Sequence, residues 1–84
     1  MIRDKIDRRI LEEVYDRIKQ KTASKLEKKG DSAYVGTHET YGIIAEEFYE
    51  LLKAMHENNT VNFDEELLDI AVACVIGMAS LRRE

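Results

Sequence analysis

Residues 42–55 read GIIAEEFYELLKAM, and this stretch decides the fold. Its apolar side chains recur at steps of three and four, which is the spacing of one face of an α-helix. Glu47 falls on the same arc of the helical wheel as five apolar side chains, namely Ile43, Ile44, Phe48, Leu51 and Met55. Because an unpaired carboxylate is costly to bury, a carboxylate at this position requires a proton or a cation to neutralise it.

Two clusters of glycine and small polar residues, at 30–37 and 58–60, separate this stretch from the rest of the chain. The sequence contains no proline, so these clusters are its main helix breakers. They divide the chain into three helical segments of about 25, 20 and 20 residues. The pattern predicts an all-α fold in which residues 1–84 form a single domain, a three-helix subunit.

Capping residues indicate where the second and third helices begin. Thr37 is a suitable N-cap, and Glu39 would then lie in the first turn, where the helix dipole favours an anion. Asn62 can cap the third helix, with Glu65 three residues further on as in a capping box. We therefore expect the second helix to run from about Thr37 to Glu57 and the third from Asn62 to the end of the sequence.

The net charge of −4 conceals an uneven distribution. Residues 1–30 hold ten Lys/Arg and six Asp/Glu, or +4, whereas residues 31–84 hold three and eleven, or −8. Within the first segment, charges of opposite sign four residues apart can pair across a helical turn: Arg8 with Glu12, Arg9 with Glu13, and Glu13 with Arg17. We interpret this face as solvated, and the functional alternative is that Lys25, Lys28 or Lys29 reaches a phosphate.

Composition excludes several classes of protein. The 84 residues allow one domain, and 44% apolar content is too high for a disordered chain. The single cysteine, Cys74, cannot form an intramolecular disulfide, so we expect a cytoplasmic location. The longest nearly uncharged run, 70–81, falls short of the roughly 20 residues that cross a bilayer, and we expect no membrane contact. The acidic larger part argues against binding a nucleic-acid polymer.

Four carboxylates are the candidate metal ligands. Glu47 and Glu50 are three residues apart on the second helix, and Glu66 and Asp69 are three apart on the third. Two antiparallel helices joined by a short turn would bring both pairs together, and such a cluster needs a cation. Oxygen-only ligands suit Mg²⁺ or Mn²⁺. Either pair taken alone is more typical of a solvated helix face, but the two together favour a metal site.

The order and spacing of these acids resemble a known family. EEFYE at 46–50, followed after fifteen residues by ELLD at 66–69, resembles the E-E-x-x-E and E-x-x-D signature of the MazG-like all-α nucleoside triphosphate pyrophosphatases. The apolar flanks at 42–45 and 70–72 also resemble that superfamily. The resemblance covers about residues 37–80 and implies an oligomeric helical bundle of the MazG-like type.

The resemblance also implies an activity. It implies a Mg²⁺-dependent enzyme, with Mn²⁺ as the alternative metal, that hydrolyses a nucleoside triphosphate or related nucleotide to the monophosphate and pyrophosphate. Glu47, Glu50, Glu66 and Asp69 would hold the metal. Glu46 and Glu47 would be the catalytic residues, with Glu46 holding a further metal or the attacking water. Metal ions would neutralise the triphosphate and lower the pKa of a bound water.

Phosphate-binding cations are expected outside the two motifs. Members of this superfamily usually continue into a further helix with basic and polar residues, whereas this sequence ends at Glu84. The candidate substrate-binding residues are therefore Lys53, His38 in the first turn of the second helix, and Arg82 with its neighbour Arg83. The basic first segment, or a partner subunit, is a further source.

The third helix predicts self-association. From residue 67 to 81, 13 of 15 residues are apolar if Gly77 is counted, so this helix requires burial on nearly every side. Two other helices cannot cover it, and a homodimer or homotetramer is the simplest remedy. Two alternatives to the enzyme remain open: a non-catalytic nucleotide-binding or protein-interaction module with the same fold, and a purely structural helical oligomer.

Overall fold

Three α-helices of 21 residues each make up the computed structural model, which describes residues 2–82. They are α1 (Arg8–Lys28), α2 (Gly36–His56) and α3 (Thr60–Ser80), and the described residues contain no strand. The prediction of an all-α, three-helix fold is confirmed. No helix within residues 2–82 combines the length and the apolar character that crossing a bilayer requires.

The helices begin at different caps from those predicted. In α1, the Asp7 side chain accepts a hydrogen bond from the backbone N–H of Arg9 at 2.9 Å. The predicted N-cap Thr37 is wrong: α2 begins at Gly36, whose φ of +74° a glycine adopts without strain, and it has no side-chain cap. Glu39 does lie in the first turn, as predicted.

The cap of α3 lies three residues before the predicted one. Asn59 is the N-cap, and its side chain accepts a hydrogen bond from the backbone N–H of Asn62 at 3.0 Å. Asn62 is therefore the donor and not the cap. The preceding residue, Asn58, has φ of +54° and ends the α2 segment. Two consecutive asparagines thus reverse the chain, and this short turn makes α2 and α3 antiparallel.

The central helix is α3, which packs against both of the others. No Cα of α1 lies within 8 Å of a Cα of α2, so the three helices form an open layer. The radius of gyration is 14.6 Å, compared with about 12 Å for a close-packed chain of this length. A single copy of the chain therefore leaves much of its apolar surface uncovered.

A small core surrounds Tyr34 in the connection between α1 and α2. Tyr34, Val72 and Ile76 are almost fully buried and pack together, and the Tyr34 N–H donates to the Ser80 hydroxyl at 3.0 Å. On the other side of α3, a Cβ added to Gly77 would lie 2.7 Å from Cγ2 of Thr40. Only a residue without a side chain allows α2 and α3 to approach so closely.

One face of α2 has no neighbour. Phe48 and Met55 share the predicted inward arc with Glu47, but they are 58% and 50% exposed in the structure. The buried face of α2 is narrower than predicted, because within residues 2–82 α2 packs on α3 alone. The exposed residues follow one another at steps of four and three, and we call them the outer stripe of α2: Tyr41, Ala45, Phe48, Leu52 and Met55.

Candidate metal centre

The antiparallel pairing of α2 and α3 places their acidic residues at the same height. Glu47 lies ten residues before the turn at Glu57, and Glu66 lies seven residues after Asn59. Asp69 is one helical turn beyond Glu66 and faces the same side. Because both helices rise by about 1.5 Å per residue, the carboxylates meet across the interface.

Three of the four predicted metal ligands come together. One carboxylate oxygen from each of Glu47, Glu66 and Asp69 lies within 4.8 Å of the other two, and all three residues are half-buried. We call these three residues the acidic cluster. Glu50 is exposed and lies outside this group, although its charge acts on Glu66.

Glu66 shows the electrostatic consequence of this crowding. Burial raises the pKa of its carboxyl above the ordinary value, and the negative charges of Asp69, Glu47 and Glu50 raise it further. A hydrogen bond with Glu47 acts in the same direction. The folded protein therefore disfavours an additional negative charge at this place and favours a proton or another cation.

A cation from α1 reaches the acidic cluster. Nζ of Lys21 lies 2.6 Å from Oδ1 of Asp69 and 3.9 Å from Oε2 of Glu65. The pKa of Lys21 is raised, first by the hydrogen bond with Asp69 and further by the charges of Asp69, Glu65 and Glu47. The helical wheel did not single out this residue, although Val14, Ile18 and Lys21 continue one face of α1 at helical spacing.

Arg17 and Lys21 of α1 form ion pairs with α3 and not with neighbours on α1. Nη2 of Arg17 lies 2.9 Å from Asp64 and 3.7 Å from Glu65, so the predicted pair with Glu13 is wrong. Arg9 pairs with Asp7 at 3.6 Å, and within residues 2–82 none of the predicted pairs across one turn forms. The acids of α3 lie opposite Arg17 and outcompete partners on its own exposed helix face.

Tyr34 lies in the core, where its ring packs against Val72 and Ile76 of α3. It is 2% exposed, and its hydroxyl has no hydrogen-bond partner within the described residues. Burial raises the pKa of this hydroxyl, and the charge of Glu47 is the strongest electrostatic contribution to the shift. The Lys29 ammonium lies 5.1 Å from the centre of the Tyr34 ring. The sequence did not reveal this buried hydroxyl without a partner.

The remaining predicted site residues lie on exposed surfaces. Glu46 is exposed and, with Glu47, Tyr49 and Glu50, lines an open groove of about 370 Å³. Lys53 is exposed near the end of α2, six residues beyond Glu47. The chain thus brings Glu46, but not Lys53, to the edge of the acidic cluster.

Neither His38 nor Arg82 is brought to the acidic cluster within one chain. His38 is exposed in the first turn of α2, nine residues or about 13 Å along the axis from Glu47. Nη1 of Arg82 donates to the carbonyl of Met78 at 3.4 Å, at the opposite end of α3 from Glu66. Arg83, also predicted as a phosphate ligand, lies outside the described residues.

The acidic cluster fits a small divalent cation. Two ligand oxygens of an octahedral Mg²⁺ are about 3.0 Å apart when adjacent and about 4.2 Å apart when opposite, because each bond is about 2.1 Å long. Oxygens within 4.8 Å of one another would reach these spacings by rotation of the side chains toward the ion. All three ligands are carboxylates, which Mg²⁺ and Mn²⁺ prefer. The donor set and the spacing therefore both suit these ions.

Comparisons of the chain with protein-family models, with curated proteins and with solved structures found no match. The function of the acidic cluster is therefore inferred from its geometry and from the motif resemblance.

Proposed function

We propose that this chain is a Mg²⁺-dependent nucleotide pyrophosphohydrolase of the MazG-like type, which cleaves a nucleoside triphosphate or related nucleotide to the monophosphate and pyrophosphate. One observation supports the proposal above all: carboxylate oxygens of Glu47 on α2 and of Glu66 and Asp69 on α3 lie within 4.8 Å of one another. These are three of the four acids that the motif resemblance assigns to the metal. Mn²⁺ is the alternative ion.

The proposed roles of the acidic residues differ according to their positions. Glu47, Glu66 and Asp69 would hold the ion, and Glu50 would complete its coordination after a side-chain rotation toward Glu66. Glu46, which lines the groove, would orient the attacking water or hold a second ion. The bound ion supplies neutralisation of the polyphosphate, which carboxylates alone would repel.

A second copy of the chain is part of the proposal. Within one chain His38 and Arg82 lie far from the acidic cluster, so their proposed phosphate contacts require a homodimer or homotetramer. The exposed outer stripe of α2 has the spacing of a helix-packing seam. Phe48→Glu should dissociate such an oligomer in sedimentation velocity experiments, whereas an unchanged sedimentation coefficient would exclude the outer stripe as the interface.

The proposed cellular location follows from the thiol. Cys74 is a free cysteine, half-buried in α3. A half-buried free thiol suits a reducing compartment, and we therefore propose that the protein acts in the cytoplasm.

Pyrophosphate release tests the proposed activity directly. The full chain is incubated with a panel of nucleoside triphosphates and Mg²⁺ or Mn²⁺, and pyrophosphate is measured. Glu47→Gln and Asp69→Asn should each reduce release by about 100-fold or more, because even residues that only support metal ligands contribute 10–100-fold. Glu57→Gln, which removes an exposed acid at the end of α2, is the matched control and should keep full activity.

The experimental outcomes separate the candidate functions. Pyrophosphate release that depends on Glu47 and Asp69 supports the enzyme. Tight nucleotide binding in calorimetry without any release, at high protein concentration and with both metals, would instead identify a non-catalytic nucleotide-binding module. The absence of both binding and release would favour the structural oligomer.

A further inference from the structure

Lys21 is the one described side chain of α1 that makes an ion pair with the acidic cluster. Its ammonium contacts Oδ1 of Asp69 at 2.6 Å, the shortest of the ion pairs in residues 2–82. The pair is also better shielded than the others, since the Asp69 side chain is 28% exposed. This contact joins α1 to the same carboxylate that the proposed metal site uses.

We propose that Lys21 is a positioning residue of the metal site, an internal counter-ion that holds Asp69 until a divalent cation displaces it. The proposal rests on the metal-binding part of the proposed function. It does not require that the protein be an enzyme, because it concerns only the competition between two cations for one carboxylate.

The competition follows from geometry and charge. An ion bound to either oxygen of Asp69 would lie about 2.1 Å from that oxygen, and therefore close to the ammonium that contacts Oδ1. An ammonium and a divalent ion so close together repel each other, and the remaining acids do not separate them. Either the ammonium moves away or Asp69 turns its second oxygen toward the ion. In the first case the contact of 2.6 Å is lost. In the second case the two cations share the charge of one carboxylate, so each weakens the binding of the other.

The other basic residues of α1 have different partners. Arg17 is held by Asp64 and Glu65, one turn away along α3. Lys29 lies against the ring of Tyr34. Lys21 is therefore the residue through which α1 acts on the acidic cluster.

The acidic cluster holds more negative charge than Lys21 balances. Within residues 2–82, three carboxylates meet within 4.8 Å, and Lys21 makes an ion pair with one of them. The counter-ion from α1 therefore neutralises the acidic cluster only in part, and a divalent cation would supply the remaining positive charge.

Calorimetric titration of Mn²⁺ into the metal-free full chain tests the proposal. Lys21→Met keeps the alkyl chain but removes the competitor, and it should bind Mn²⁺ about 2- to 5-fold more tightly, which is the range that partly exposed ion pairs produce. Lys21→Arg keeps the charge and should bind Mn²⁺ with nearly wild-type affinity. Lys19→Met is the control for net charge, because Lys19 is exposed on the same helix, and it should bind as the wild type does.

Thermal melting provides a second measurement that does not depend on heat of binding. Lys21→Met should melt at a lower temperature than the wild type without metal, and Mn²⁺ should raise its melting temperature by a larger increment. Equal or weaker Mn²⁺ binding by Lys21→Met, with the wild type binding normally, would overturn the role of Lys21 and leave the metal site intact. Absence of Mn²⁺ binding in every variant would overturn both the metal site and the competition. Failure to release pyrophosphate would affect only the enzymatic proposal.

Discussion

The two sides of α3 hold their partner helices in different ways. Toward α2, the contact is close, with Gly77 against Thr40 and Ala54 buried, and beside the acidic cluster it contains no ion pair within residues 2–82. Toward α1, the contact includes the ion pairs of Arg17 and Lys21, and an apolar groove of about 340 Å³ remains between the helices. Steric fit holds α2 against α3, whereas ion pairs contribute more to the packing of α1 against α3. The α1–α3 contact should therefore be the more sensitive to salt.

The largest effect on stability is expected at the close contact between α2 and α3. Gly77→Leu should lower the free energy of unfolding by about 1–3 kcal/mol, since its side chain must displace Thr40. Gly42→Leu is the matched control, because a Cβ added to this helical glycine of α2 would have no atom within 4 Å and leucine is the better helix former. Urea unfolding measures the free energy of unfolding of both variants. A stable Gly77→Leu variant would show that α2 and α3 are less closely packed than described.

A smaller effect is expected on the α1 side. Arg17→Met should lower stability only slightly, and by less than Gly77→Leu, because the pair with Asp64 is largely exposed. The cost should shrink as salt is raised, and Asp64→Asn should have little further effect in the Arg17→Met background. A double-mutant cycle in urea at low and high salt measures this coupling. A coupling energy that does not change with salt would contradict the proposal that ion pairs contribute more to the α1–α3 contact than to the α2–α3 contact.

The smallest effect concerns Glu66 and pH. Because its pKa is raised in the folded state, the folded protein binds more protons than the unfolded chain at pH values just above its ordinary value of 4.5. In metal-free buffer the contribution of Glu66 to stability therefore falls as pH rises through this window. Glu66→Gln removes that fall and should be more stable than the wild type at neutral pH, by less than about 1 kcal/mol.

Comparison of the pH profiles tests this assignment. The two proteins should have similar free energies of unfolding well below pH 4.5, where Glu66 is protonated in both states, and should diverge above it. Parallel profiles at all pH values would contradict the raised pKa. With Mn²⁺ present the order should reverse at neutral pH, because the charged Glu66 then binds the ion.

The sequence predicted the elements and the acidic cluster because both depend on short-range spacing. Glu47 lies on an apolar helix face, Glu66 and Asp69 are one turn apart, and an asparagine turn makes their helices antiparallel. These relations need only the helical period and a short connection. They do not depend on how a third helix is placed.

The features that sequence reasoning missed depend on which faces meet. A helical wheel assigns Phe48 and Met55 to an arc, but the number of neighbouring helices decides whether that arc is buried. Arg17 has a local partner in Glu13 and a distant one in Asp64, and only the docking of α1 on α3 decides between them. The contact of Lys21 with Asp69 arises from the same docking.

The short turn at Asn58 and Asn59 also has a consequence for the order of folding. Helices joined by a short loop meet early, because closing such a loop costs little conformational entropy, whereas α1 joins through the longer connection that contains Tyr34. We therefore expect the hairpin of α2 and α3 to bring its carboxylates together before Arg17 and Lys21 arrive. During that interval dissolved cations would take the place of α1, so added salt should accelerate the folding of this chain even though it weakens the ion pairs of the folded structure.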